Sequence, residues 1–278
     1  MSVAADLPSP RVLLHQIVWS PETLAAIDPD HPVLDNLAND RSDWREYWPM
    51  RRFLLGTALD EDCYYGFLSP KFRAKTLMGL SEAAAFVRAQ APRADVVLFS
   101  PQPDMGAFFL NVFEQAEIFY PGQIEAYEAF LAHIGQPASL GPMIMDSRQV
   151  VFSNYFAARP AFWRAWLAVN EALFAICEGP DSELRQALCH PTAYPGAVQR
   201  KVFLMERVAS LLLVTQPGWR SVACNPFTMG WSASRLSQFR TEAMISDALK
   251  MAFRDQPFPQ YMEAYATVRD RFRAGAMI

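Results

Sequence analysis

Three stretches of this chain carry residues whose types and spacing can do chemistry. The first is Tyr64-Tyr65-Gly66-Phe67-Leu68-Ser69-Pro70-Lys71-Phe72-Arg73-Ala74-Lys75-Thr76, an aromatic run with a glycine that ends at a turn and three cations. Lys71, Arg73 and Lys75 there suit a diphosphate or another anion held by charge-assisted hydrogen bonds. A solvated basic turn after a core strand is the plainer alternative. The second is Asn111-Val112-Phe113-Glu114-Gln115-Ala116-Glu117. A helix would bring Asn111, Glu114 and, less closely, Glu117 to one side. Two such carboxylates suit a general base with its orienting partner, or a base beside a ligand for a sugar hydroxyl. Ordinary acidic residues on a solvated face explain them equally well. The third is Glu206-Arg207. Glu206 shares its helix direction with Val202, Ala209 and Leu213, so a carboxylate falls on a surface that should be buried. Such a charge has to be paired or used. Arg207 points elsewhere, so the partner of Glu206 must come from another part of the fold.

Single residues add to these. Asp146 precedes the apolar run Val150–Ser153 and Asn154 follows it. The Asn154 amide could orient a substrate, although Asn also serves simple turns. His15 is expected to be a satisfied core histidine. Several signatures are missing: the chain has no Gly-x-Gly-x-x-Gly turn, Walker loop, Gly-x-Ser-x-Gly elbow, Cys-x-x-Cys pair or His-Glu-x-x-His site. Cysteines 63, 177, 189 and 224 read as free buried thiols in a reducing compartment.

The 278 residues are 51% hydrophobic and 19% charged, which excludes global disorder. Twenty-five Lys and Arg against 29 Asp and Glu give a net charge of −4, so a broad nucleic-acid footprint is not expected. The first ten residues lack a basic start followed by an apolar core, and no run reaches the 18 apolar residues of a membrane span. A cytoplasmic protein is expected. The high aromatic content leaves peripheral contact with the inner face of the cytoplasmic membrane open.

The elements that must position these residues alternate. Strands are expected at Val12–Trp19, Cys63–Leu68, Val96–Ser100, Gln149–Ser153 and, more weakly, Ser221–Cys224. Val96–Ser100 reads as a central parallel strand, because it is apolar throughout. Helices are expected from Ser81 to Gln90, Gln123 to Ile134, Pro160 to Cys177, Val198 to Val214, Arg235 to Phe253 and Gln260 to Ala274. Asp28 to Pro49 and Gln136 to Ser147 read as long loops over a cleft. The order implies an α/β sheet core with a mainly helical C-terminal third, in one domain spanning 1–278.

Glu46-Tyr47-Trp48-Pro49-Met50-Arg51, Tyr65-Gly66-Phe67-Leu68-Ser69-Pro70-Lys71-Phe72 with Lys75-Thr76, Asn111–Gln115 with Glu117, Tyr120-Pro121-Gly122, Ser153–Trp163 and Phe203–Arg207 together resemble a bacterial group of glycosyltransferases from surface-polysaccharide and O-antigen loci. The resemblance covers about residues 12–215, leaving 216–278 as a mainly helical extension. It implies a GT-A-like fold that binds a nucleotide sugar and transfers the sugar to a glycan or lipid-linked glycan. It implies substrate-binding roles for Tyr65, Gly66, Lys71, Lys75, Asn111, Asn154, Glu206 and Arg207. Many such enzymes hold Mn or Mg with an Asp-x-Asp motif. Here Pro101-Gln102-Pro103-Asp104 follows the Val96–Ser100 strand with one acidic residue, and Asp28-Pro29-Asp30 has the motif's letters after the first helix-like segment. Either Asp104 holds a metal atypically, or Lys71, Arg73 and Lys75 neutralise the leaving diphosphate without one. The group also usually has Gly where Ala116 stands.

The expected reaction is attack of an acceptor hydroxyl on the anomeric carbon, with a carboxylate taking the proton. Glu114 or Glu117 is the expected base, with Asp95, Asp104 and Asp146 as rivals and Glu206 in support. The alternative is a non-catalytic glycan- or partner-binding protein of transferase-like fold. A glycoside hydrolase using Glu114 and Glu117 fits poorly, because its carboxylates must face each other across the scissile bond.

Overall fold

The computed structural model describes residues 10–273. The leader-free reading of Met1–Ser9, and the last residue of the expected helix ending at Ala274, lie outside the described residues. Six strands form one sheet in the order β2-β1-β3-β5-β4-β6. They are β1 (Arg11–Val18), β2 (Val33–Asp35), β3 (Cys63–Leu68), β4 (Val96–Leu98), β5 (Phe156–Ala158) and β6 (Ser221–Ala223). β1 runs parallel to β2 and β3, and β4 parallel to β6. β5 lies antiparallel between β3 and β4, so it alone is reversed. The ends of β1, β3, β4 and β6 therefore share one edge with the start of β5.

The helices are α1 (Pro21–Ala25), α2 (Tyr47–Gly56), α3 (Phe72–Thr76), α4 (Leu80–Gln90), α5 (Pro103–Ala107), α6 (Val112–Phe119), α7 (Gln123–His133), α8 (Pro160–Glu178), α9 (Glu183–Cys189), α10 (Arg200–Thr215), α11 (Arg240–Asp255) and α12 (Pro259–Arg273). Alternate strand residues feed two cores. Cys63, Tyr65, Phe67, Val96, Leu98, Phe156 and Ala158 face one, with Trp163, Trp166 and Leu204 of α8 and α10. Tyr64, Leu68, Val97 and Ala157 face the other, with Phe72, Ala83 and Val87. Burial on both faces explains why β3 is apolar throughout. A Cβ on Gly66 would lie 2.8 Å from Leu14 Cδ2 and 3.2 Å from the Phe156 carbonyl, so the residue that approaches Gly66 is its own sheet neighbour. A third cluster, around Phe108, Phe109, Leu236 and Ala243, joins the C-terminal helices to α5.

The structure is a mixed α/β fold with a largely helical C-terminal third. No helix among the described residues is long and apolar enough to cross a membrane. Three expectations change. Gln149–Ser153 is not a strand: the N–H groups of Gln149 and Val150 turn back to the Asp146 carbonyl, and those of Val151 and Phe152 donate to Ser210 Oγ and Ser100 Oγ. The strand here is the short β5. β4 is three residues long and sits one place from the sheet edge, with only β6 as a parallel partner. The Asp28–Pro49 connection holds β2 and the start of α2.

Candidate functional site

Polar groups converge where β1 and β3 end. α3 follows β3 after Ser69-Pro70 and is stopped by Leu77 in the left-handed region, φ 61°. One turn of helix thus ends with Lys75 turned back toward the strand edge. Its Nζ donates to Ser153 Oγ at 2.8 Å and lies 5.7 Å from the centre of the Tyr155 ring. Ser69 Oγ and the Tyr155 hydroxyl share a 2.6 Å hydrogen bond. Ser153 and Asn154 are both left-handed, at φ 59° and 54°. Two successive non-glycine residues there store backbone strain of about 1–3 kcal/mol each, which is a common property of functional loops. The buried Asn154 donates to Met205 Sδ and keeps Oδ1 without a donor.

α10 brings Glu206 to the same place. This helix is buried nearly all round, and Phe203 and Glu206, three residues apart, are its half-exposed positions between Val202 and Leu213. Glu206 makes no hydrogen bond or ion pair among the described residues. Burial pushes its carboxyl up to about 7; Arg207 and Lys75 oppose the rise, and Glu46 adds to it. Lys75 is pulled below the ordinary lysine value by burial, against the attraction of Glu206 and Glu46 and with the help of Lys71. Strongly shifted titratable groups gather at functional sites more often than elsewhere, and these two feel each other's charge. Ser69, which bonds to Tyr155, also lines a cleft of about 300 Å³ with Val18, Thr23, Ile27, Asp28, Phe72 and Arg73 among others; Lys75 and Glu206 are not among its lining residues. A crevice beyond the carboxyl ends of parallel strands is where open α/β sheets place ligands.

The expected site residues divide. Lys75, Glu206 and Asn154 gather here, with Lys71 exposed at the start of α3 and close enough to act on Lys75. The others are committed elsewhere. Asn111 is the N-cap of α6 rather than part of its face: its Oδ1 accepts from Phe113 and Glu114 N–H, and its Nδ2 donates to the carbonyls of Leu140, Gly141 and Met143. Glu114 accepts from Leu110 N–H and pairs with Arg269 at 2.5 Å. Glu117 accepts from the N–H groups of Gly122 and Ile124, fastening the start of α7. Arg207 ties α10 to α6 through the Val112 carbonyl and Gln115. Asp146 is fully buried between Arg148 and Arg254. The Tyr65 hydroxyl accepts from Asp60 N–H, at the far end of β3. Asp95 pairs with Arg220 just before β4, also at the opposite edge. His15 is buried among Phe53, Tyr65 and Phe67, and burial lowers it to about 4.

Metal ligation has no donor set in this region. Asp104 accepts hydrogen bonds from Ser232 and Ser234, and Asp28 accepts from Asp30 N–H. Among the described residues no three His, Cys, Asp or Glu gather as metal ligands. Glu46, Ser69, Ser153 and Tyr155 carry no individual chemical signal in the sequence. Their signal was present in the Glu46–Arg51, Ser69 and Ser153–Tyr155 parts of the resembling segments.

The chain matches no family model, and no curated protein or solved structure is significantly similar to it.

Proposed function

We propose that the protein is a glycosyltransferase that moves a sugar from a nucleoside diphosphate sugar to a glycan or lipid-linked glycan. The observation that carries this reading is Glu206: a half-buried carboxylate with no hydrogen bond or ion pair among the described residues, pushed up to about 7 by burial and within the electrostatic reach of Lys75. The sheet, with one reversed strand among parallel ones, supports the GT-A-like architecture. The role of base passes from Glu114, Glu117 and Asp146 to Glu206, because the first three are occupied by structural partners.

In this reading the donor occupies the cleft between β1 and α3. An acceptor hydroxyl attacks the anomeric carbon, and its proton passes to ionised Glu206. The bond from that carbon to the diphosphate oxygen breaks, and Lys75, with Lys71 and Arg73 at the rim, receives the charge on the leaving group. The residues fit this cationic route better than a metal cradle, and no step is assigned to Mn or Mg. A calorimetric screen of nucleoside diphosphates and their sugars, with and without Mn²⁺, tests it. Binding of one nucleotide series, with nucleoside diphosphate released in wild type and not in Glu206→Gln, is the expected result. Binding without release would favour the non-catalytic glycan-binding alternative, and no binding would remove the proposal.

A further inference from the structure

Around Ser42 and Arg45 the surface opens into two neighbouring compartments. One, of about 250 Å³, is lined by Trp19, Asn36, Asn39, Ser42, Arg45 and Glu46. The other, of about 270 Å³, is lined by Ser42, Asp43, Arg45 and residues 196–199. Ser42 and Arg45 line both, so the two compartments are neighbours. Glu46, which acts electrostatically on Glu206 and Lys75, lines the first compartment.

Three features set this surface apart from a random dent. Arg45 has φ 50° and ψ −135°, a combination suited to glycine, yet it carries an exposed guanidinium with no hydrogen bond or ion pair among the described residues. Asn39 and Ala197 are also left-handed, at φ 46° and 50°, so one non-glycine residue in that region lines each compartment besides Arg45. Gln199 Oε1 is sealed from solvent without a donor. The lining mixes donors and acceptors: the Asn36 and Asn39 amides, which bond to each other at 3.4 Å, the Gln199 amide, the Ser42 hydroxyl, the Arg45 guanidinium and the Glu46 carboxylate. Asp43 is already held by Arg41 and Lys201. An anion would meet Glu46, and an alkyl chain would leave the Ser42 hydroxyl and the Arg45 guanidinium without partners. A neutral polyol satisfies them, with Trp19 as an apolar wall for a sugar face.

We propose that this double cleft holds two consecutive neutral sugar residues of the acceptor. The terminal residue lies between Trp19 and Glu46, and the next lies between Arg45 and Gln199. The assignment rests on the transferase reading, and it makes the acceptor a disaccharide or longer. It is tested by saturation-transfer NMR titration of lactose, maltose and chitobiose against galactose, glucose and N-acetylglucosamine, with UDP, GDP and dTDP titrated in parallel. At least one disaccharide should bind about tenfold or more tightly than its monosaccharide, a difference of about 1.4 kcal/mol. Arg45→Gly, which keeps that backbone without strain, and Gln199→Ala should each remove the gain and leave nucleotide affinity unchanged. Equal binding of mono- and disaccharides, or a gain that survives both substitutions, overturns the cleft. Nucleotide binding with no disaccharide preference overturns the cleft alone. Disaccharide preference with no nucleotide binding overturns the transferase reading and leaves a glycan-binding groove.

Discussion

Glu206 is destabilising where it is placed, and that has two measurable consequences. Folded, its carboxyl holds a proton up to about 7 against a usual 4.5. The native state therefore binds more protons than the unfolded chain between those values, and stability falls as pH rises through that window. Glu206→Gln should raise stability at pH 8 by up to about 3 kcal/mol, with the gain gone near pH 5. Urea melts at the two pH values check this; an equal effect at both would mean that the carboxyl is not perturbed. The same variant should lose roughly 10²–10⁴-fold in transfer rate. Wild-type turnover should climb over about pH 6–8, as Glu206 ionises. Glu114→Gln and Glu117→Gln should behave oppositely, keeping the turnover per folded molecule while weakening the fold. For Glu117 that cost follows from two N–H groups at the start of α7 that depend on a charged acceptor, each worth about 1–2 kcal/mol.

At the scale of elements, the site depends on a short chain of backbone contacts. Gly230 N–H donates to the Lys75 carbonyl at 2.9 Å, and Gln102 N–H donates to the Gly230 carbonyl at 2.8 Å. The segment after β6 thus braces the end of α3 against the start of α5. A Cβ on Gly230 would lie 2.6 Å from the Lys75 carbonyl oxygen. Gly230→Ala should therefore cost about 1–3 kcal/mol and shift Lys75, lowering activity, whereas Gly218→Ala, with nothing within 4 Å, should be silent. Thermal melts and turnover of the two variants separate a local push on α3 from a general effect of alanine. The sequence disclosed those elements whose pattern is local. β1, β3, α7, α8 and α10 follow from apolar runs or a 3.6-residue period, and Glu206 stood out as a charge inside an apolar helix. What stayed hidden depended on distant partners. Val150–Ser153 is apolar and β-branched, yet hydroxyls of Ser100 and Ser210 take its N–H groups and no ladder forms. Asn111 and Glu114 look catalytic in a linear reading because the carbonyls of Leu140–Met143 and Arg269 lie far along the chain, whereas the partners of Glu117, the N–H groups of Gly122 and Ile124, are near in sequence but set by the turn into α7. Lys75 and Glu206 lie 131 positions apart in the sequence, and only the tertiary fold puts each within the other's electrostatic reach.

For the whole molecule, the C-terminal third is fastened through buried charge as well as apolar contact. Lys250 of α11 is 0% exposed, and its Nζ donates to the carbonyls of Gly106 and Phe109 at 2.7 and 2.9 Å. Asp247, on the same helix, accepts from Ser147 N–H, and Arg269 of α12 pairs with Glu114. Burial lowers Lys250 to about 8 from a usual 10.5, against the attraction of Asp247, Asp146 and Glu114. The unfolded chain therefore binds more protons between pH 8 and 10.5, so this group makes stability rise across that interval. Lys250→Met keeps the chain length and removes the charge, but strands two carbonyls and leaves Asp247 without its cation. Breaking a buried charged contact from one side costs about 3–5 kcal/mol, partly offset here because the lysine itself is costly to bury. The variant should lose about 2–4 kcal/mol at pH 7, and the deficit should widen toward pH 10, because the wild type alone gains there. Limited proteolysis should cut within Arg240–Arg273 first, since release of α11 uncovers Phe108, Phe109 and Leu236. A deficit that does not change with pH would assign the loss to packing and not to the buried ammonium group.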